Sequence, residues 1–143
     1  MRTVTPALTL DDGESAAENG RARQDLEGCT ILIAEDEALV AMALAELVED
    51  IGGKVVGPFA HVSQCQRELE TQQIDAAILD VRLCDGTTYE LAQRLMREGV
   101  PVMFHSANDT AREFQPCCEG TVINCGKPCE TEVIARSLLQ VVE

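Results

Sequence analysis

From residue 30 onwards the chain alternates between short, unbroken apolar runs and longer segments in which apolar residues recur every three or four positions. The runs are Thr30-Ile31-Leu32-Ile33-Ala34, Lys54-Val55-Val56, Ala76-Ala77-Ile78-Leu79, Pro101-Val102-Met103-Phe104-His105 and Thr121-Val122-Ile123-Asn124. Runs this short and continuous predict strands covered on both faces. Between them, Val40, Leu44, Leu47, Val48 and Ile51 outline one face of a helix that Gly52-Gly53 stops. Cys65 and Leu69 mark a polar surface helix within 62–73, and Tyr89, Leu91, Ala92, Leu95 and Met96 a third helix ended by Gly99. Val133, Ile134, Ser137, Leu138 and Val141 outline the last. Residues 110–115 leave room for barely a turn or two before Pro116, and Gly57-Pro58 is expected to close the second strand. Five strands alternating with helices predict an α/β domain, a doubly wound parallel sheet, because right-handed crossovers place the helices on both faces.

Composition narrows the class. At 143 residues, 45% of them hydrophobic, the chain fits one domain with a core of its own. Eleven Lys and Arg oppose 25 Asp and Glu, a formal charge of −14, and no window gathers enough cations to track phosphates. Direct nucleic-acid binding is therefore not expected. An apolar run of roughly 18 residues, the minimum for a membrane span, is missing, as is a basic-then-apolar leader. The expectation is a cytoplasmic protein with no membrane association. Residues 1–28 lack a sustained apolar period and predict a disordered acidic arm ahead of a domain at 29–143. Seven cysteines without a CxxC pair predict free thiols, most of them small buried hydrophobes; the spacing of Cys117, Cys118, Cys125 and Cys129 matches no zinc finger or ribbon.

The chemistry lies at the ends of the strands. In a sheet wound this way every C-terminal strand end faces one edge, which brings together Glu35 and Asp36 after the first strand, Asp80 after the third, Ser106 after the fourth and Lys127 after the fifth. A lone acid before a helix would need no more explanation than the helix dipole. Two adjacent acids and a third across the crevice repel one another unless a hard cation sits among them, and Mg²⁺ suits such oxygens. Asp80 stands alone at the central strand's end, placed to attack phosphorus and form an aspartyl phosphate, with Lys127 and Ser106 holding the phosphoryl oxygens.

These residues resemble the receiver domain of two-component response regulators over about 29–143. The motif Ile-Leu-Ile-Ala-Glu-Asp-Glu carries the family's Mg²⁺-binding acidic pair at Glu35 and Asp36. Asp80 matches the phosphoacceptor, Ser106 the hydroxyl after the fourth strand, and Lys127-Pro128 the family's Lys-Pro, usually joined by a cis bond. The resemblance implies a flavodoxin-like, receiver-type sheet of strand order 2-1-3-4-5. It implies a phosphoryl donor that is a histidine kinase or histidine phosphotransfer protein, and a downstream protein partner. A phosphorylation-dependent dimer is left open. The activity implied is self-phosphorylation and autodephosphorylation, with no separate substrate turned over. There are departures: Cys84 replaces the family's usual Pro, and Asn124 stands where many receivers carry a switching aromatic. Cys84 is expected to be tolerated; Asn124 and the stunted segment before Pro116 keep a phosphorylation-independent adaptor as an alternative. A phosphatase of the haloacid dehalogenase type is disfavoured, because Glu35-Asp36-Glu37 does not fit its DxDx[TV] motif. Tyr89 is expected to pack against the core and His105 to be a satisfied core histidine. Coupling is expected to run through residues 107–119, where Phe114 is the large apolar side chain, with plain core packing as its equal alternative.

Overall fold

The computed structural model describes residues 26–106, 114–117, 119–127 and 129–142. In chain order the elements are β1 (Thr30–Ala34), α1 (Ala38–Asp50), β2 (Lys54–Phe59), α2 (Val62–Leu69), β3 (Ala76–Leu79), β4 (Arg82–Leu83), β5 (Gly86–Thr87), α3 (Tyr89–Arg97), β6 (Val102–Ser106), β7 (Val122–Gly126) and α4 (Thr131–Val141). Five strands form one parallel sheet in the order β2-β1-β3-β6-β7, the expected doubly wound arrangement. β4 and β5 pair separately as a small antiparallel ribbon.

Side-chain alternation divides the core in two. Leu32, Ala34, Ala77, Leu79 and Phe104 face Cys65 of α2 and Leu91, Ala92 and Leu95 of α3. Ile31, Ile33, Ile78 and Met103 face Leu44 and Val48 of α1 and Ile134 and Leu138 of α4. Every residue of β3 is buried, which explains why it reads as an unbroken apolar run.

The second strand does not end at Gly57-Pro58 but continues to Phe59. Two steps along β1, from Leu32 to Ala34, face three along β2, from Val56 to Phe59, so one residue is extra. Gly57 absorbs it at φ +107°, and a Cβ there would lie 2.7 Å from the Ile33 carbonyl oxygen. Because β2 is an edge strand, the N–H that Pro58 lacks costs no ladder bond. Gly57–Pro58 is cis; the Lys127–Pro128 bond lies outside the described residues, as do most of the expected arm and segment 107–113. Leu26, assigned to the arm by composition, is fully buried, and its amide donates to the Ile51 carbonyl at 2.9 Å.

The β4–β5 ribbon was not legible, since two-residue strands have no period. It brings Asp85 over the start of α2, where Oδ1 accepts from the Val62 amide at 2.6 Å and Oδ2 from the Ser63 amide at 3.2 Å. These bonds hold the Asp85 carboxyl below its ordinary range. His61, the residue before α2, makes no side-chain cap of its own, so a carboxylate from a distant turn supplies it.

Candidate functional site

The site is built where β1, β3, β6 and β7 end. The Glu35 amide donates to Phe59 of β2 at 2.9 Å, and the chain then bends into α1. Glu35 folds back so that Oε2 accepts the Glu37 amide at 3.1 Å, which places its carboxylate beneath the helix start with only 3% of the residue exposed. Across the sheet, the Asp80 amide donates to Ala34 at 2.8 Å and so continues the ladder one residue past β3. The Asp80 carbonyl in turn accepts the hydroxyl of the fully buried Thr88 at 2.8 Å. Those bonds fix Asp80 beside Glu35. One carboxylate oxygen each from Glu35, Asp36 and Asp80 lie within 4.8 Å of one another.

Lys127 enters from the opposite side. The strand pair β6–β7 ends with Ser106 opposite Gly126, and the Lys127 amide donates to the Ser106 carbonyl at 2.8 Å. Its ammonium Nζ then lies 3.1 Å from both Glu35 oxygens, 3.1 Å from Asp80 Oδ2 and 3.2 Å from Glu37 Oε1. The structure thus brings Glu35, Asp36, Asp80 and Lys127 to one point, with Ser106 tied to it through the backbone.

The electrostatics are unbalanced. Burial pushes the Glu35 carboxyl up to about 7, helped by the nearby Asp80 charge and opposed by the Glu37 amide and Lys127. Burial alone would lower Lys127, but hydrogen bonds and charge from Glu35 and Asp80 outweigh it and hold the ammonium above its usual range. One cation therefore faces a crowd of acids, and the buried Glu35 Oε1 accepts no hydrogen bond among the described residues. An all-oxygen donor set with more carboxylates than the Lys127 ammonium can neutralise fits a hard divalent cation.

Two participants escaped the sequence reading. Glu37 carries no signal of its own beyond an acid next to a helix start, and its contact with Lys127 is set by the turn after β1. Thr88 sits at no periodic position, and its bond spans eight residues from Asp80. One expectation needs correction, and one open alternative is decided. His105 is buried, but neither ring nitrogen has a partner among the described residues, so it is not a satisfied core histidine; burial and Lys127 keep its pKa below the ordinary value. Phe114 is core: it is 8% exposed and packs 5.1 Å from Phe104 and 5.8 Å from Tyr89, ring centre to ring centre. Its neighbours up to residue 113 lie outside the described residues, so the expected coupling segment is untested there.

A parallel sheet with acids at two adjacent strand ends and a lysine across the crevice defines a class of phosphoryl-handling α/β domains. The chain matches the response regulator receiver domain over residues 31–137, and it belongs to that family. None of the curated proteins matches the chain. Among solved structures, a response regulator receiver protein from Sinorhizobium medicae is 24% identical with a TM-score of 0.68, covering 82% of this chain and 99% of that one. The receiver domain of the sensor histidine kinase PA1611 from Pseudomonas aeruginosa, which has magnesium coordinated in its active-site cleft, is 23% identical with a TM-score of 0.69, covering 80% and 98%. The response regulator PhyR from Brucella abortus is 22% identical with a TM-score of 0.68, covering 84% of this chain and 50% of that one. This chain spans about half the length of the PhyR structures from Bartonella quintana and Brucella abortus. Among the described residues no helix is long and apolar enough to cross a membrane.

Proposed function

We propose that this receiver domain accepts a phosphoryl group on Asp80 from a histidine kinase or histidine phosphotransfer protein and signals by binding a protein partner in the cytoplasm. The observation that carries the reading is the Lys127 ammonium held 3.1 Å from Asp80 and Glu35. An Asp80 oxygen attacks phosphorus, the bond from phosphorus to the donor's ring nitrogen breaks, and the nitrogen leaves with its electron pair. Charge accumulates on the phosphoryl oxygens, where Lys127 stabilises it and the hydroxyl of Ser106, the last residue of β6, assists. Glu35, Asp36 and Asp80 are the residues that would hold Mg²⁺, which when bound neutralises phosphoryl and carboxylate oxygens together. Thr88 acts only as a positioning residue, through the Asp80 backbone. A phosphorylation-dependent dimer is compatible with this reading and no part of it.

The test is intact-mass spectrometry after incubation with acetyl phosphate. One phosphoryl adduct is expected with Mg²⁺, none after chelation and none in Asp80→Asn. Equal labelling of wild type and Asp80→Asn would overturn the assignment. One observation favours a second reading, a silent adaptor: Asn124 is exposed on the edge strand β7, where the resemblance places a switching aromatic. Partner capture that persists in Asp80→Asn would support it.

A further inference from the structure

A lysine ammonium has three N–H donors and no acceptor. On Lys127 all three are taken, by Glu35 Oε2 at 3.1 Å, Asp80 Oδ2 at 3.1 Å and Glu37 Oε1 at 3.2 Å. A phosphoryl oxygen that reaches this ammonium must therefore replace one of the three carboxylates, and their surroundings decide which. The Glu35 side chain is wholly buried and also accepts the Glu37 amide, so parting it from Lys127 would strand a buried charge. Asp80, only 11% exposed at its side chain, carries the phosphoryl group and stays beside it. Glu37 differs from both: its side chain is 63% exposed, so water solvates the carboxylate on release. Its backbone is fixed, since the amide donates to Glu35 Oε2 at 3.1 Å and the carbonyl accepts the Ala41 amide at 2.8 Å. At the N-cap of α1 it makes no side-chain cap bond, and among the described residues its carboxylate bonds Lys127.

We propose that Glu37 is an internal stand-in for the phosphoryl group, a positioning residue that occupies the third N–H of Lys127 until a phosphoryl donor displaces it. The proposal rests on the phosphoacceptor reading above and adds to it the group that opposes uptake. The exchange breaks one ionic hydrogen bond and forms another on the same nitrogen, and no proton changes hands. While Glu37 is engaged the ammonium has no donor for an incoming oxygen, so the apparent affinity for the phosphoryl donor falls by the fraction of chains in which it is free. An exposed ion pair holds by a factor of about two to five, which bounds the effect. A fully buried partner in the same place would close the site outright, whereas an exposed one sets the donor concentration at which it opens.

The experiment compares wild type, Glu37→Gln and Glu37→Asp in two assays. The first measures initial rates of uptake from acetyl phosphate with Mg²⁺, read by intact mass over a range of donor concentrations. The half-saturating concentration should be about two- to fivefold lower in Glu37→Gln. A gain at low donor concentration is a result that damage to the fold does not produce. Glu37→Asp keeps the charge but is one methylene shorter and a better N-cap, so its carboxylate should turn to the free amides of α1 and leave Lys127. It should match Glu37→Gln; if it matches wild type instead, charge acts at the cleft without contact and the proposal is overturned. The second assay needs neither metal nor phosphoryl donor. The chain has two lysines, Lys54 and Lys127, and acylation by an activated ester should rise at Lys127 relative to exposed Lys54 in both variants. Unchanged Lys127 labelling in Glu37→Gln would overturn the contact. Intact uptake in wild type with the same half-saturating concentration in Glu37→Gln would overturn the role of Glu37 and leave the phosphoacceptor reading standing. If Lys127 labelling rises while no form of the protein takes up a phosphoryl group, the phosphoacceptor reading fails and the proposal with it.

Discussion

Two aspartates flank β3, and the fold uses them in opposite ways. Asp75, at the N-terminal end, accepts the Thr30 amide at 2.7 Å, while its own amide donates to the Thr30 carbonyl at 2.8 Å. It closes the start of β1 against β3 and replaces a ladder bond the sheet can no longer make. Asp80, five residues later, has the same strand behind it, yet its carboxylate faces an ammonium and two further acids. Its backbone is the part given over to structure, through Ala34 and Thr88. The difference follows from strand direction: a parallel sheet gathers its chain ends at one edge and the helix C-termini and incoming turns at the other. An acid is structural where one backbone donor satisfies it, and chemically available where neighbouring acids prevent it from being satisfied.

The sharpest way to break this comparison is to exchange effects between the two. Asp80→Asn should abolish phosphoryl uptake, a fall of at least about a thousandfold, because an amide cannot form the acyl phosphate. Asp75→Ala should leave uptake unchanged and lower stability by about 1–2 kcal/mol through the stranded Thr30 amide. Intact mass and urea unfolding read the two effects, and a loss of uptake in Asp75→Ala with an intact fold would end the distinction.

Lys127→Ala probes what holds the acids of Asp80's edge together. Uptake should slow roughly 10²- to 10³-fold. The metal-free protein should lose about 3 kcal/mol, since Glu35 and Asp80 would keep their burial without the ammonium. Mg²⁺ should return part of that stability, which a thermal melt with and without the ion would show.

A pH series separates the two edges more gently. The folded protein keeps a proton on Glu35 that the unfolded chain has released, because burial raises its pKa from 4.5 to about 7. Stability from this group is fully present below about pH 4.5, is lost as pH rises towards 7, and flattens above. Mg²⁺ favours the charged carboxylate, so its affinity should rise across the same window and the decline in stability should shrink. Thermal unfolding between pH 4.5 and 8, with and without Mg²⁺, tests both signs. The smallest effect is expected at Asn124→Tyr: on an exposed edge position it should shift stability by less than about 0.5 kcal/mol and leave uptake unchanged.

Phe114 and His105 mark where reading residues one at a time stopped working. Phe114 sits in a segment without period, and its place against Phe104 and Tyr89 depends on a chain return that no local pattern encodes. His105 lies within a correctly placed strand, but whether its ring finds a partner is decided by α1 and α4 above it. Both concern what lies opposite a residue, not which element contains it.

The sequence by itself determined the order of strands and helices, the doubly wound sheet, and the presence of Glu35, Asp36, Asp80, Ser106 and Lys127 at strand ends. Those features depend on period and on chain direction, which are local. Only the tertiary structure decided that β2 runs through Gly57-Pro58, that Asp85 caps a helix from another turn, and that Glu37 joins Lys127. Each of these is a meeting of groups whose separation in space is set by how the sheet twists and where loops return. Hydrophobic spacing constrains which face a side chain takes, but carries no information about which polar group waits there.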